Sequence, residues 1–118
     1  MGKRILVAED EVRISHLLKM YLERETYTVE LVADGELALK KALSESFDLI
    51  ILDILMPGRD GFSVLEEVRK TKTTPVIMLS AKGESQDLKR GEELGANEYI
   101  LKPFSPRDVV TKINALLS

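Results

Sequence analysis

Leu49-Ile50-Ile51-Leu52 is an unbroken apolar run that ends on an acid, Asp53, followed by the turn-forming stretch Ile54-Leu55-Met56-Pro57-Gly58. Four consecutive large apolar residues cannot alternate between core and water, so a strand built from them must be covered on both faces. Parallel sheets sandwiched between helices meet that demand. Three more runs have the same character: Ile5-Leu6-Val7-Ala8, Val76-Ile77-Met78-Leu79 and Tyr99-Ile100-Leu101. Thr28-Val29-Glu30-Leu31-Val32 alternates instead, which suits a strand nearer an edge.

Helical patterns fill the intervals. Ile14, Leu17, Leu18, Tyr21 and Leu22 recur at three- and four-residue spacing, as do Phe62, Leu65 and Val68, and then Val109, Val110, Ile113, Leu116 and Leu117. Gly35–Ser44 reads as a helix with Ala38, Leu39, Ala42 and Leu43 facing inward. Glu84–Gly95 has only Leu88 and Leu94 as large apolar residues and contains Gly91, so it should be the least firmly held helix. Five strand–helix repeats with right-handed crossovers predict an α/β, doubly wound parallel sheet. The expected strand order is 2-1-3-4-5, the flavodoxin-like (βα)5 arrangement with its ligand crevice between the first and third strands.

At 118 residues the chain is sized for one domain, expected to span residues 1–118. Lys and Arg total 17 against 20 Asp and Glu, a net charge of −3, with no basic run to coat nucleic acid or anionic lipid. The absence of cysteine removes disulfides and zinc–thiolate sites and fits a reducing cytoplasm, the expected location. The apolar run near the N-terminus is too short for a signal peptide, Leu6 stands where a myristoylation motif needs Ser or Thr, and no stretch is long enough to span a membrane.

In open α/β sheets the site lies beyond the carboxyl ends of the strands. The residues that follow the apolar runs are Glu9 and Asp10, Asp53, Ser80 and Lys102. Taken singly, each has an ordinary explanation: acids at a helix start, a turn aspartate, a capping serine and a surface lysine. Taken together, three carboxylates, a hydroxyl and an ammonium meet at one sheet edge. Converging carboxylates repel, and a proton or a hard cation relieves the repulsion. Oxygen ligands alone favour magnesium over zinc or copper, with manganese as a substitute. A carboxylate beside such an ion can attack phosphorus and become an acyl phosphate, while Lys102 and Ser80 neutralise the transferring group.

With these residues the chain resembles bacterial response-regulator receivers (CheY-like domains), especially those of the OmpR/PhoB type. The motifs are Glu9-Asp10-Glu11, the run from Asp53 to Gly58 with Asp60-Gly61, Ser80-Ala81-Lys82-Gly83, and the stretch from Gly95 to Phe104. The resemblance implies that Asp53 accepts a phosphoryl group from a phosphohistidine on a sensor histidine kinase, which is the partner. It implies magnesium held by Glu9, Asp10, Asp53 and the backbone carbonyl of Leu55. Ser80, Lys102 and the backbone N–H groups of Leu55 and Ala81 would hold the phosphoryl group. Ser80 and Tyr99 would form the switch pair, and Pro57, Gly61 and Pro103 would be structural, with Lys102–Pro103 a cis peptide. The chain would act as a switch rather than an ordinary enzyme, while promoting its own magnesium-dependent phosphorylation and dephosphorylation. Phosphorylation would alter the face made by the fourth helix, fifth strand and fifth helix. A homodimer could then form there, Arg90 pairing with Asp108 and Glu98 with Lys112 across a two-fold axis. Asn97-Glu98 replaces the commoner Asp-Asp of that type, and His16, on a helix away from the site, is read as surface or structural.

Three rivals remain for comparison. A haloacid-dehalogenase phosphatase needs an acid two residues after the nucleophile, where this chain has Leu55. A nucleotide- or flavin-binding module lacks its glycine pattern after the first strand. A receiver-like binding module without phosphorylation would not need the acids and Lys102. Leu55 and Lys82 flank the expected phosphoryl group, and neither orients water well, which predicts a long-lived acyl phosphate. The chain stops at Ser118, directly after the last helical pattern, so no nucleic-acid binding by this chain is expected. A free-standing shuttle and a piece of a longer transcription factor both fit that ending.

Overall fold

A computed structural model describes residues 2–81 and 85–118. Its elements run β1 (Arg4–Ala8), α1 (Val12–Arg24), β2 (Thr28–Val32), α2 (Gly35–Ser44), β3 (Leu49–Asp53), α3 (Gly61–Arg69), β4 (Val76–Ser80), α4 (Ser85–Glu93), β5 (Glu98–Leu101) and α5 (Pro106–Leu117). All strand pairs are parallel and the sheet order is β2-β1-β3-β4-β5, as the alternating pattern required. Lys82 and Gly83 of the third motif, and Glu84 at the expected start of the fourth helix, lie outside the described residues.

The two-residue period of a strand divides each buried run between two cores. Ile5 and Val7 face Leu18 and Leu22 of α1 and Val109 and Ile113 of α5, whereas Leu6 and Ala8 face Ala38 and Ala42 of α2 and Leu65 and Val68 of α3. β1, β3 and β4 are buried almost throughout, so their runs had to be apolar on both faces.

The structure corrects several finer expectations. β5 is not covered on both faces: it pairs only with β4, Glu98 and Tyr99 are half-buried, and Leu101 is 45% exposed. Leu17 and Leu43 are exposed although their spacing placed them on inward faces, and Leu88 is exposed on the helix expected to have least to bury. Gly91 is the one buried residue of α4. A methyl group there would lie 3.6 Å from Tyr99, 3.7 Å from Phe62 and 3.8 Å from Met78, so α4 approaches the sheet through its smallest residue.

Candidate functional site

β1 and β3 are neighbours, and their carboxyl ends deliver Glu9-Asp10 and Asp53 to one crevice. The backbone beyond β1 is fixed because Glu9 N–H donates to the Val32 carbonyl at 3.1 Å. Beyond β3, Ile54 N–H donates to Leu79 O at 2.9 Å and Gly61 N–H returns to Ile54 O at 2.8 Å, closing the loop that carries Leu55. Gly61 has to be glycine, since a Cβ would stand 2.4 Å from the Asp53 carbonyl. Asp60 starts α3 by accepting from Ser63 N–H at 2.8 Å. Lys102 enters from β5, its backbone N–H bonded to Ser80 O at 2.7 Å, and the Lys102–Pro103 peptide is cis.

These supports bring the expected polar groups together. Glu9 is 2% exposed and Asp53 and Ser80 are each 4% exposed, while Asp10 faces solvent. One carboxylate oxygen from each of Glu9, Asp10 and Asp53 can lie within 4.8 Å of the others. Lys102 Nζ stands 2.6 Å from Glu9 Oε1, 3.0 Å from Asp53 Oδ2 and 3.8 Å from Glu11 Oε1. Two buried acids share one half-buried ammonium.

The charges are unevenly settled. Burial pushes the Glu9 carboxyl up to about 7, with Asp53 adding to the rise and Lys102 and the Glu11 N–H opposing it. Burial works against the Lys102 ammonium, but Glu9 and Asp53 outweigh it and raise its pKa. Glu9 Oε2 accepts from Glu11 N–H at 3.0 Å. Its Oε1 is buried and lies at ion-pair distance from Lys102, yet it accepts no well-aligned hydrogen bond. Such an oxygen, beside two more carboxylates with one open to water, suits a hard divalent cation of the magnesium kind.

The remaining expected residues fall around this centre. Leu55 and Ala81 are exposed at the mouth, and Pro57 uses its carbonyl to accept from Gly35 N–H and Arg59 N–H, each at 3.0 Å. Tyr99 is half-buried against Gly91, on the far side of β4 from the acids. Of the four dimer-face residues, Lys112 and Glu98 pair within the chain at 3.5 Å, Arg90 lies over the Phe62 ring at 4.5 Å, and Asp108 is exposed in the first turn of α5. His16 is exposed on α1, away from the acids. Lys82, expected beside the phosphoryl group, lies outside the described residues.

Sequence reading missed Glu11 as a neighbour of Lys102, and Gly35 and Arg59 as supports of the Leu55 loop. It also missed Asn97, whose Oδ1 accepts from Val76 N–H at 2.9 Å and from Arg69 at 3.1 Å. The Asn97 side chain therefore ties β5 to the start of β4. Only the Asp34-Gly35 pair carried a local signal, as a turn, and that does not show what packs on it.

Residues 5–114 match the response regulator receiver domain. The chain belongs to that family. Receiver domains are phosphoacceptor switches of two-component signalling rather than classical enzymes, and they bind magnesium at an acidic pocket. The transcriptional regulatory protein ResD of Bacillus subtilis is 51% identical over 114 residues, covering 97% of this chain and 48% of ResD. The transcriptional regulatory protein SrrA of Staphylococcus aureus is 46% identical over 117 residues, covering 99% and 48%. The receiver chain thus spans about half the length of the curated relatives it matches. Among solved structures, a CheY-like receiver from Methanospirillum hungatei superposes with a TM-score of 0.94 at 34% identity, covering 99% of this chain and 94% of that one. The response regulator TrrA of Thermotoga maritima, solved in complex with Mg(2+)-BeF, superposes with a TM-score of 0.87 at 40% identity, covering 98% and 99%. No helix among the described residues is long and apolar enough to cross a membrane.

Proposed function

We propose that Asp53 is the phosphoacceptor of a two-component switch that takes its phosphoryl group from a phosphohistidine of a sensor histidine kinase in the cytoplasm. The observation that carries this reading is the half-buried Lys102 ammonium held between Glu9 and Asp53, a cation placed where an anionic group is to be received.

In the transfer, an Asp53 carboxylate oxygen attacks phosphorus, the P–N bond to the donor imidazole breaks, and the imidazole leaves after taking a proton. Glu9, Asp10, Asp53 and the Leu55 carbonyl are the groups that would hold magnesium, with manganese as a substitute. Magnesium, when bound, supplies the positive charge that lets an anionic phosphoryl group enter an acidic crevice. Lys102 gives up its contact with Asp53 Oδ2 and takes a phosphoryl oxygen. The Ser80 hydroxyl and the Leu55 and Ala81 N–H groups supply the other donors. Hydrolysis of the acyl phosphate later resets the switch, and the exposed apolar Leu55 beside the acceptor favours slow decay.

Movement of Ser80 toward the phosphoryl group opens space beside Tyr99, and the ring turns into it. The responding surface is α4, β5 and α5. A symmetric dimer of the OmpR/PhoB kind on that surface would pair Arg90 with Asp108 and Glu98 with Lys112, each pair twice. Both cations first leave partners within their own chain, Phe62 and Glu98 respectively. Exposed pairs are worth only about 0–1 kcal/mol each, so apolar contact must supply most of the affinity.

Acetyl phosphate with magnesium should add one hydroxylamine-labile phosphoryl group to the chain, and Asp53→Asn should abolish it. Label retained in Asp53→Asn would place the acceptor elsewhere.

A further inference from the structure

The Leu55 loop is held at two places. At its base Gly61 closes on Asp53 and Ile54; at its tip the first turn of α2 presses directly on the backbone from Pro57 to Arg59. Gly35 N–H donates to the Pro57 carbonyl at 3.0 Å. A Cβ on Gly35 would fall 1.8 Å from the Arg59 carbonyl oxygen and 2.6 Å from its carbon. That approach is backbone against backbone, so a side chain at Gly35 cannot be accommodated by a rotamer change. Around it, Arg59 Nε donates to Glu36 Oε1 at 3.1 Å, Arg59 NH1 donates to Ser63 Oγ at 2.9 Å, and Gly58 takes φ +83° beside Glu36 and Asp34. Asp34 fixes the start of α2 by accepting from Leu37 N–H at 2.8 Å.

The other end of the same short turn is tied to the acid pair. The Val32 carbonyl accepts from Glu9 N–H at 3.1 Å, and only Ala33 and Asp34 separate Val32 from Gly35. One turn therefore touches both backbone segments that would supply the ligands: Glu9-Asp10 through Val32, and the Leu55 loop through Gly35.

We propose that the β2–α2 turn is a spacer for the metal site, and that Gly35 is a positioning residue setting the distance between the Glu9-Asp10 pair and the loop that carries Leu55. Gly35 touches neither ion nor phosphoryl group. It acts by letting the loop approach the α2 backbone, which sets how far Leu55 sits from Glu9 and Asp10. Metal sites depend on such support, and loss of an outer partner commonly costs about 10–100-fold in metal affinity. The inference rests on the reading of Glu9, Asp10 and Asp53 as the magnesium ligands.

The test is magnesium affinity of the whole chain, measured by titration without phosphodonor, in four variants beside the wild type. Asp10→Asn examines the underlying reading: equal affinity in that variant and the wild type, or no binding by either, removes the site itself. Given a wild-type site, Gly35→Ala should weaken magnesium binding by about tenfold or more. Ile113→Ala, a core truncation on the opposite face of the sheet, should lower the melting temperature but leave magnesium affinity unchanged while the protein is folded. Gly58→Ala strains the loop tip at a positive φ between Pro57 and Arg59, the two residues that Gly35 meets, and it should weaken magnesium binding to a lesser degree. Wild-type affinity in a folded Gly35→Ala would overturn the proposal. So would equal weakening by Ile113→Ala, since the effect would then be general loosening. Should Gly35→Ala not fold, Gly58→Ala decides: wild-type affinity there would overturn the spacer role.

Discussion

The acid crevice and the α4 surface are two neighbours of β4 that are held in different ways. Around the crevice, Glu9, Asp53 and Ser80 are almost completely buried, and the adjoining backbone is tied to β2, β4 and α3 by hydrogen bonds. α4, by contrast, buries only Gly91, and its Leu88 is exposed. Arg90 is exposed where it lies over the buried Phe62 ring, and the Lys89–Glu93 pair, just within ion-pair distance at 4.0 Å, lies at the surface. The difference fits the proposed switch: groups that would meet phosphorus in one geometry sit on strand ends, whereas α4, which would shift when the group arrives, has little packing to lose.

Truncation makes the sharpest comparison. Ile77→Ala, in the centre of the sheet, should cost about 2–5 kcal/mol in urea unfolding, whereas Leu88→Ala on α4 should change stability by no more than about 0.5 kcal/mol. Equal losses would mean that α4 is anchored as firmly as the sheet.

A smaller effect should appear with pH. Glu9 is raised from 4.5 to about 7 in the folded protein, chiefly by burial. Its protonated form is therefore favoured by folding, and the stability it contributes is present below about 4.5 and lost as pH rises to about 7. Glu9→Gln should flatten that slope. Magnesium requires the ionised carboxylate, so its affinity should fall as pH drops below 7. A slope identical in Glu9→Gln would assign it to another group.

The smallest expected change sharpens the account of α4. At Gly91 an added methyl group finds ordinary contacts at 3.6–3.8 Å. Gly91→Ala should stabilise the protein by roughly 0.5–1 kcal/mol through helix propensity. It should also make α4 respond less to activation. Loss of stability would show that the space beside Tyr99 is already filled.

How much of this was legible depends on what a residue's neighbours are. Runs such as Leu49–Leu52 declared themselves because burial on both faces permits no polar interruption, and the acids after the first and third runs then met at one crevice. Leu17 and Leu43 misled because periodicity gives the direction of a helix face but not how far the sheet extends beneath it. β5 misled for a related reason: Tyr99-Ile100-Leu101 is apolar, yet only Ile100 is buried. Gly35 against Arg59 and Arg90 over Phe62 are contacts between residues 24 and 28 positions apart, set by how helices and loops dock rather than by any local pattern.

Amide hydrogen exchange, compared with and without magnesium and beryllofluoride as a phosphoryl mimic, is the direct measurement. Binding at Asp53 should change exchange in the Leu55 loop and then, beyond the crevice, in α4 and β5, while α1 and the β1–β2 pairing remain as before. Asp53→Asn should show none of these changes. Changes confined to the crevice, or spread evenly over α1, α2 and α4, would contradict a switch that runs from Asp53 through Ser80 and Tyr99 to the α4 surface.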